Sequence, residues 1–206
     1  GNVSFYNESF GSAIYPTPAI GTVGVMEDYT KYATPAFKHE GDTIFLIGET
    51  ADELGGSEYI HVFYDENRGA CPACDLELER DTSALVRDAV RDGVLASAHD
   101  ISEGGAAVAL AECCIAGALG AAVAFDDDLP AVASLFAETQ ARFIVSVENL
   151  QAQHLIERLI AAEVPYAVIG EVVSAAEGIT IEDKIQVSLD EASSAHRDGL
   201  EIAQAG

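Results

Sequence analysis

Lysine is nearly absent from this sequence: Lys31, Lys38 and Lys184 are all that its 206 residues contain. With arginine the basic residues reach ten, against thirty-five Asp and Glu, for a formal net charge of −25. A field of that sign repels phosphate backbones and anionic headgroups, so nucleic acid and membrane surfaces are excluded as partners. Long apolar runs are missing too. Gly, Asp and Glu interrupt every one well short of the ~20 residues of a membrane-spanning helix. The opening Gly1-Asn2-Val3-Ser4-Phe5-Tyr6 has no basic segment leading into an apolar one, so no signal peptide is expected and a cytoplasmic location is. Neither GxxxxGK[ST] nor GxGxxG occurs, which removes the two most common phosphate-binding fingerprints. The four cysteines make no finger-type metal site, because Cys71-Pro72-Ala73-Cys74 has no second CxxC or HxxxH at the required spacing. That CxxC lies in a Gly/Pro loop rather than at a helix start after a strand, as a thioredoxin-type centre requires.

What is present is a globular chain. Hydrophobic residues make up 49% of it, enough for one good core. The acids are dispersed, Asp126-Asp127-Asp128 being the longest run. Dispersed acidity with few lysines suggests a surface adapted to high salt, where screening removes self-repulsion.

Pro16-Thr17-Pro18 breaks any early helix. Strand patterns follow at 19–26 and 43–48, the second apolar enough to be covered on both faces. Helical spacing over 78–92 puts Leu85, Val86, Ala89 and Val90 on one side. A strand at 94–99 runs into Asp100-Ile101-Ser102-Glu103-Gly104-Gly105. Next comes an Ala-rich helix at 106–116, nearly apolar all round and therefore buried, in which adjacent Cys113 and Cys114 act as small hydrophobes. A strand within 117–125 leads to a short helix beginning at Pro130. The remainder reads as a strand at 143–147, an amphipathic helix at 149–163, strands at 166–173, 178–181 and 184–188, and a polar helix over 190–203 capped by Asp190. This alternation predicts an α+β fold of α/β-type order, a mixed β-sheet covered by helices.

Two places could carry chemistry. At Asp100 to Gly105 a strand delivers a carboxylate and a hydroxyl, and two glycines bare backbone N–H groups at a helix start. Such a turn suits a phosphate, with the carboxylate available to magnesium; it equally suits a helix cap whose glycines serve tight packing. His99 and Asp100 are strand neighbours, so they are expected on opposite faces. At the N-terminus, Gly1-Asn2-Val3-Ser4 could offer amides and an Asn oxygen to a phosphate–magnesium assembly.

At these same places the sequence resembles the phosphoribosylformylglycinamidine synthase family, in its small synthetase-subunit form. Gly1-Asn2-Val3-Ser4-Phe5-Tyr6-Asn7-Glu8 is similar to that family's hallmark run, and Pro16-Thr17-Pro18 and Ile20-Gly21 follow in order. Leu54-Gly55-Gly56-Ser57-Glu58-Tyr59 and Ala98-His99-Asp100-Ile101-Ser102-Glu103-Gly104-Gly105 match further along. The resemblance implies two tandem modules of the aminoimidazole ribonucleotide synthetase (PurM) type, each with an A domain and a B domain. Residues 1–18 would be the tail of the second A domain, and 19–206 the second B domain, with a PurM C-terminal-domain-like fold. The reaction it implies is that of an ATP-dependent carbon–nitrogen ligase of purine biosynthesis. Formylglycinamide ribonucleotide, ATP and ammonia become the amidine, ADP and phosphate. Its implied partners are a glutamine amidotransferase subunit, a small bridging subunit and the remaining domains of a longer parent chain.

Carried over by position, Gly1 would lie at ATP, Asn2 would ligate Mg2+ and Ser4 would touch substrate. No catalytic residue falls within this chain, which is therefore expected to be inactive alone. Asp100, Ser102, Gly104 and Gly105, with Glu138, Thr139 and Gln140, would face an auxiliary cleft that holds a structural nucleotide in related large forms. The alternatives are another PurM-superfamily ATP-using enzyme and a non-catalytic nucleotide-binding or structural module.

The charge pattern carries its own test. Thermal unfolding followed against KCl should show the melting temperature rising steeply with salt as screening relieves the repulsion; a flat response would mark an ordinary acidic protein.

Overall fold

In a computed structural model, residues 8–9, 11–13 and 20–205 are described. The chain divides into two compact units, residues 1–30 and 31–206. In the first, β1 (Glu8–Ser9) and β2 (Ser12–Ala13) pair antiparallel, Glu8 opposite Ala13. The strand expected over 19–26 does not form at its described positions, 20–26. Ile20, Val23 and Val25 are almost fully exposed there. A β pattern alone does not make a strand without a neighbour to complete its ladder.

The second unit is built on a mixed sheet. Its strands are β3 (Thr43–Ile47), β4 (Ser97–Asp100), β5 (Gly120–Val123), β6 (Phe143–Val147), β7 (Tyr166–Val173), β8 (Ile179–Ile181) and β9 (Ile185–Val187). They lie in the order β4-β6-β3-β7-β5-β8-β9. Every neighbouring pair is antiparallel except β5 and β8.

Side-chain alternation along β3 separates two cores. Ile44 and Leu46 point into one with α3 (Gly105–Gly117), α4 (Ala131–Phe136) and the start of α6 (Leu189–Ala205). Phe45 and Ile47 point into the other with α2 (Leu76–Arg91) and α5 (Asn149–Ala161). Period-two alternation therefore makes an apolar run the spine of a three-layer sandwich, as the run's uniform apolarity implied. The short helix α1 (Glu58–Tyr64) buries none of its residues.

Helix α3 is buried along most of its surface, with Ala106, Leu110, Cys113 and Cys114 fully buried, but it is not covered all round: Val108 is 38% exposed, because one side of the helix faces outward despite its apolar composition. Burial raises both thiols, Cys114 to about 12 and Cys113 beyond it, because a thiolate loses its hydration there. On α2 the buried positions are Thr82, Val86 and Ala89, one polar residue more than the apolar stripe suggests. On α5 Leu155 and Leu159 are buried while Ile160 is 62% exposed.

Two caps differ from expectation. Pro130 is the N-cap of α4 rather than its first helical residue. At α6, Ser188 and Glu191 form a reciprocal box: Glu191 N–H donates to Ser188 Oγ at 3.2 Å, and Ser188 N–H donates to Glu191 Oε2 at 3.0 Å. The Ser-x-x-Glu spacing carries that signal, and it displaces Asp190 as the cap.

Asp42, at the start of β3, is 3% exposed, and its Oδ2 is buried with no hydrogen-bond partner among the described residues. Burial raises its carboxyl pKa, while the neighbouring His39, 3.5 Å away, lowers it by less. A raised folded pKa means that the contribution of this group to stability is complete below the unfolded value and fades as pH rises through the folded one. Asp42→Asn should therefore stabilise the protein by roughly 1 kcal/mol near pH 7. The gain should shrink as pH falls through the raised folded pKa and be gone below the unfolded value, and urea unfolding at neutral and acid pH reads it.

Candidate functional site

Four loops meet beside the α3 N-terminus, and one buried cation organises them. Arg142 is 2% exposed. Its guanidinium donates to Thr139 O at 2.8 Å, to Ala137 O at 2.6 Å and to Thr50 Oγ1 at 2.9 Å. Burial lowers it to about 10, with Glu53 and Glu138 acting in the opposite sense, so it stays charged at neutral pH. These bonds hold residues 137–142 in a loop between α4 and β6.

That loop presents Glu138. Its Oε1 accepts from Gly104 N–H and from Glu58 N–H, both at 2.9 Å, which ties the α3 turn to the start of α1. Thr139 Oγ1 accepts from Ala51 N–H at 3.1 Å. Exposed Gln140 donates back to Glu138 O at 3.2 Å. On the far side, Glu53 Oε1 accepts from Ala73 N–H at 2.8 Å, and its Oε2 is buried without a hydrogen-bond partner among the described residues.

Close backbone approach explains two glycine positions. A Cβ on Gly105, whose φ is +71°, would lie 2.7 Å from Phe136 Cα. One on Gly55 would overlap the carbonyl of Ala70. Aromatic contact closes the cluster, with Tyr59 stacked on Phe136 at 5.3 Å.

The structure thus brings together Gly104, Gly105, Glu138, Thr139 and Gln140. Asp100 and Ser102 stand at the solvent edge. The two amides expected to be bare are engaged: Gly104 N–H by Glu138, and Gly105 N–H by Ser102 O at 3.2 Å. His99 and Asp100 also approach each other, with His99 Nδ1 3.4 Å from Asp100 Oδ1, while His99 Nε2 meets Glu112 Oε2 at 2.9 Å. At the end of an edge strand, an exposed side chain can turn toward its neighbour. Among the described residues no group of three or more His, Cys, Asp or Glu could hold a metal. Gly1, Asn2 and Ser4 lie outside the described residues. Cys71 and Cys74 are exposed and free in their loop. Arg142 and Glu53 were not anticipated; a lone arginine ahead of the buried strand Phe143–Val147 was the available signal.

Residues 39–182 match the family described as AIR synthase related protein, C-terminal domain. The chain belongs to that family. Among curated relatives of this AIR synthase-related domain, the phosphoribosylformylglycinamidine synthase subunit PurL of Moorella thermoacetica is 49% identical over 147 residues. That match covers 71% of this chain and 20% of that protein. The PurL subunit of Alkaliphilus metalliredigens is 41% identical over 173 residues, covering 84% and 23%. That of Parvibaculum lavamentivorans is 40% identical over 202 residues, covering 97% and 27%. The chain thus spans about a quarter of the length of such relatives.

Solved structures share the α+β fold. Thermotoga maritima PurL complexed with FGAR superposes with a TM-score of 0.70 at 17% identity, covering 80% of this chain and 30% of that one. Escherichia coli HypE, a hydrogenase maturation protein, gives 0.55 at 17% identity, covering 77% and 52%. The AIR synthase-related C-terminal fold therefore serves more than one protein function, and the sequence relatives are the more selective guide.

The Glu138 bridge can be tested by unfolding in urea. Glu138→Ala strands two amide donors at once and should cost about 2 kcal/mol; Glu138→Gln keeps a neutral acceptor and should cost about half as much.

Proposed function

We propose that this chain works as the C-terminal part of an ATP-dependent carbon–nitrogen ligase of purine biosynthesis. In that reaction formylglycinamide ribonucleotide, ATP and ammonia yield formylglycinamidine ribonucleotide, ADP and phosphate. The observation that carries the proposal is the 40–49% identity to PurL subunits over most of the chain. On this reading residues 1–18 end one domain, and 19–206 form the domain that follows it. Gly1 would meet ATP, Asn2 a magnesium ion and Ser4 the substrate. An Asn carbonyl oxygen is a suitable hard ligand for that ion.

The site around Glu138 has a structural part in this reading. It locks the start of α3, the start of α1 and the 137–142 loop into one body. Asp100, Ser102, Gly104, Gly105, Thr139 and Gln140 would then border an auxiliary cleft for a structural nucleotide. The fold neighbours include T. maritima PurL complexed with ATP and PurLQS from the same organism. They support a nucleotide as ligand and an assembly of several subunits; on this reading the further subunits are an amidotransferase and a small bridging subunit, and the assembly is cytoplasmic. No helix of the described residues is long and apolar enough to cross a membrane.

Joining this chain in place of the corresponding C-terminal part of a PurL relative should give an enzyme that forms the amidine from ammonia and ATP. Asn2→Ala in that chimera should raise its magnesium requirement at least tenfold. The 206-residue chain alone should neither turn over nor bind Mg-ATP tightly by calorimetry. Turnover by the isolated chain, or a folded chimera without activity, would overturn the reading.

A further inference from the structure

Away from Glu138, a groove of about 840 Å3 opens between the end of β3, the 125–129 loop, the start of β7 and the end of α5. Its floor is apolar, with Leu46, Phe125, Leu159 and Ile169 among the lining residues. Ile160 adds an aliphatic side chain that is 62% exposed. Around that floor stand five carboxylates, from Glu49, Asp126, Asp127, Asp128 and Glu163, and the lining includes no basic residue. The nearby Lys184 reaches the Phe125 carbonyl at 3.4 Å.

Acids are common on this surface and, among the described residues, most of them meet no cation, so what sets the groove apart is that five converge around one apolar floor. Elsewhere Glu66, Asp81, Asp88, Asp92 and Asp198 each meet an arginine within 4.0 Å. Among the described residues, none of the five groove carboxylates is in an ion pair. Like charges concentrated around a low-dielectric floor repel one another unless a cation comes between them. The floor residues are themselves buried, but the exposed Ile160 side chain at the rim gains from being covered.

We propose that this groove docks a lysine- or arginine-bearing segment of a partner protein, its apolar anchor on Ile160 and its cations among the five carboxylates. A second copy of the chain is a poor occupant, because the net charge of −25 sets the two molecules against each other. Nucleic acid and anionic lipid meet the same repulsion. The groove is of the size that takes a few side chains. This inference does not depend on the synthase reading.

The probes are a synthetic hexapeptide, acetyl-Lys-Leu-Lys-Phe-Leu-Lys-amide, its Glu-for-Lys counterpart, and spermine. Binding to the whole chain is read by calorimetry and by amide chemical shifts. The lysine peptide should bind, shift the amides of Glu163, Ala167 and Ile169, and weaken as KCl rises. The triple variant Asp126→Asn, Asp127→Asn, Asp128→Asn should lose at least tenfold in affinity, and Ile160→Ser several-fold, with circular dichroism unchanged. A matched control neutralising Glu77, Glu103 and Asp190 removes the same charge elsewhere and should leave affinity within twofold. Equal loss in the control would reduce the effect to the general field and overturn the proposal. So would spermine binding as tightly as the peptide, self-association through the groove, or no binding by the lysine peptide.

Discussion

A guanidinium taken out of water must find acceptors for its donors, and Arg142 finds them in the main chain. Two of its three bonds go to carbonyls within five residues of its own position, and the third to Thr50. Main-chain acceptors hold the cation without needing a carboxylate in direct contact, while Glu53 and Glu138 balance it from farther off. Because the loop is wound around a group that cannot easily lose its proton, its shape is insensitive to pH over the ordinary range. Glu138 is presented from that loop, and through it two separate helices are held at their first turns. A buried charge of this kind is weak evidence for stability and better evidence for a fixed geometry.

The protein separates its electrostatics by depth. Its two cores are almost wholly apolar, the sheet between them serving both faces; among the few buried polar groups Ser97 and Ser146 bond each other at 2.7 Å, while Asp42, Thr82 and Ser134 each keep a buried oxygen without a hydrogen-bond partner among the described residues. The negative charge is left on the outside, where ten basic residues cannot balance it. Stability then rests on burial, while solubility and partner choice rest on the field. The two can be adjusted independently.

Much of this was legible in the sequence, and what was not has a physical cause. The run at 43–48 announced a strand covered on both faces, and Ile44, Phe45, Leu46 and Ile47 divide between the two cores accordingly. The nearly all-round apolarity of the Ala-rich helix announced its burial along most of its surface. The stretch 19–26 carried an equally good β pattern, yet its described part has no ladder, because pairing depends on a neighbour that local sequence does not name. At the turn, the glycines of residues 104 and 105 were read correctly as a helix start. Their amides belong to Glu138 and Ser102, a fact that requires knowing which of thirty-five acids folds back. Arg142 was invisible for the same reason: burial of a charged residue is decided by acceptors far along the chain. The reciprocal cap at Ser188 and Glu191 was present as spacing and was passed over in favour of Asp190.

The cysteines divide along the same line of depth. Cys71 and Cys74 face solvent, whereas Cys113 and Cys114 are sealed in the middle of α3 with their thiols driven far from ionisation. An alkylating reagent should thus see two clocks in one molecule: a fast one set by the loop's own chemistry, and a slow one that advances only when α3 leaves the sheet. The adjacent pair makes the innermost helix a built-in recorder of how often the whole core opens.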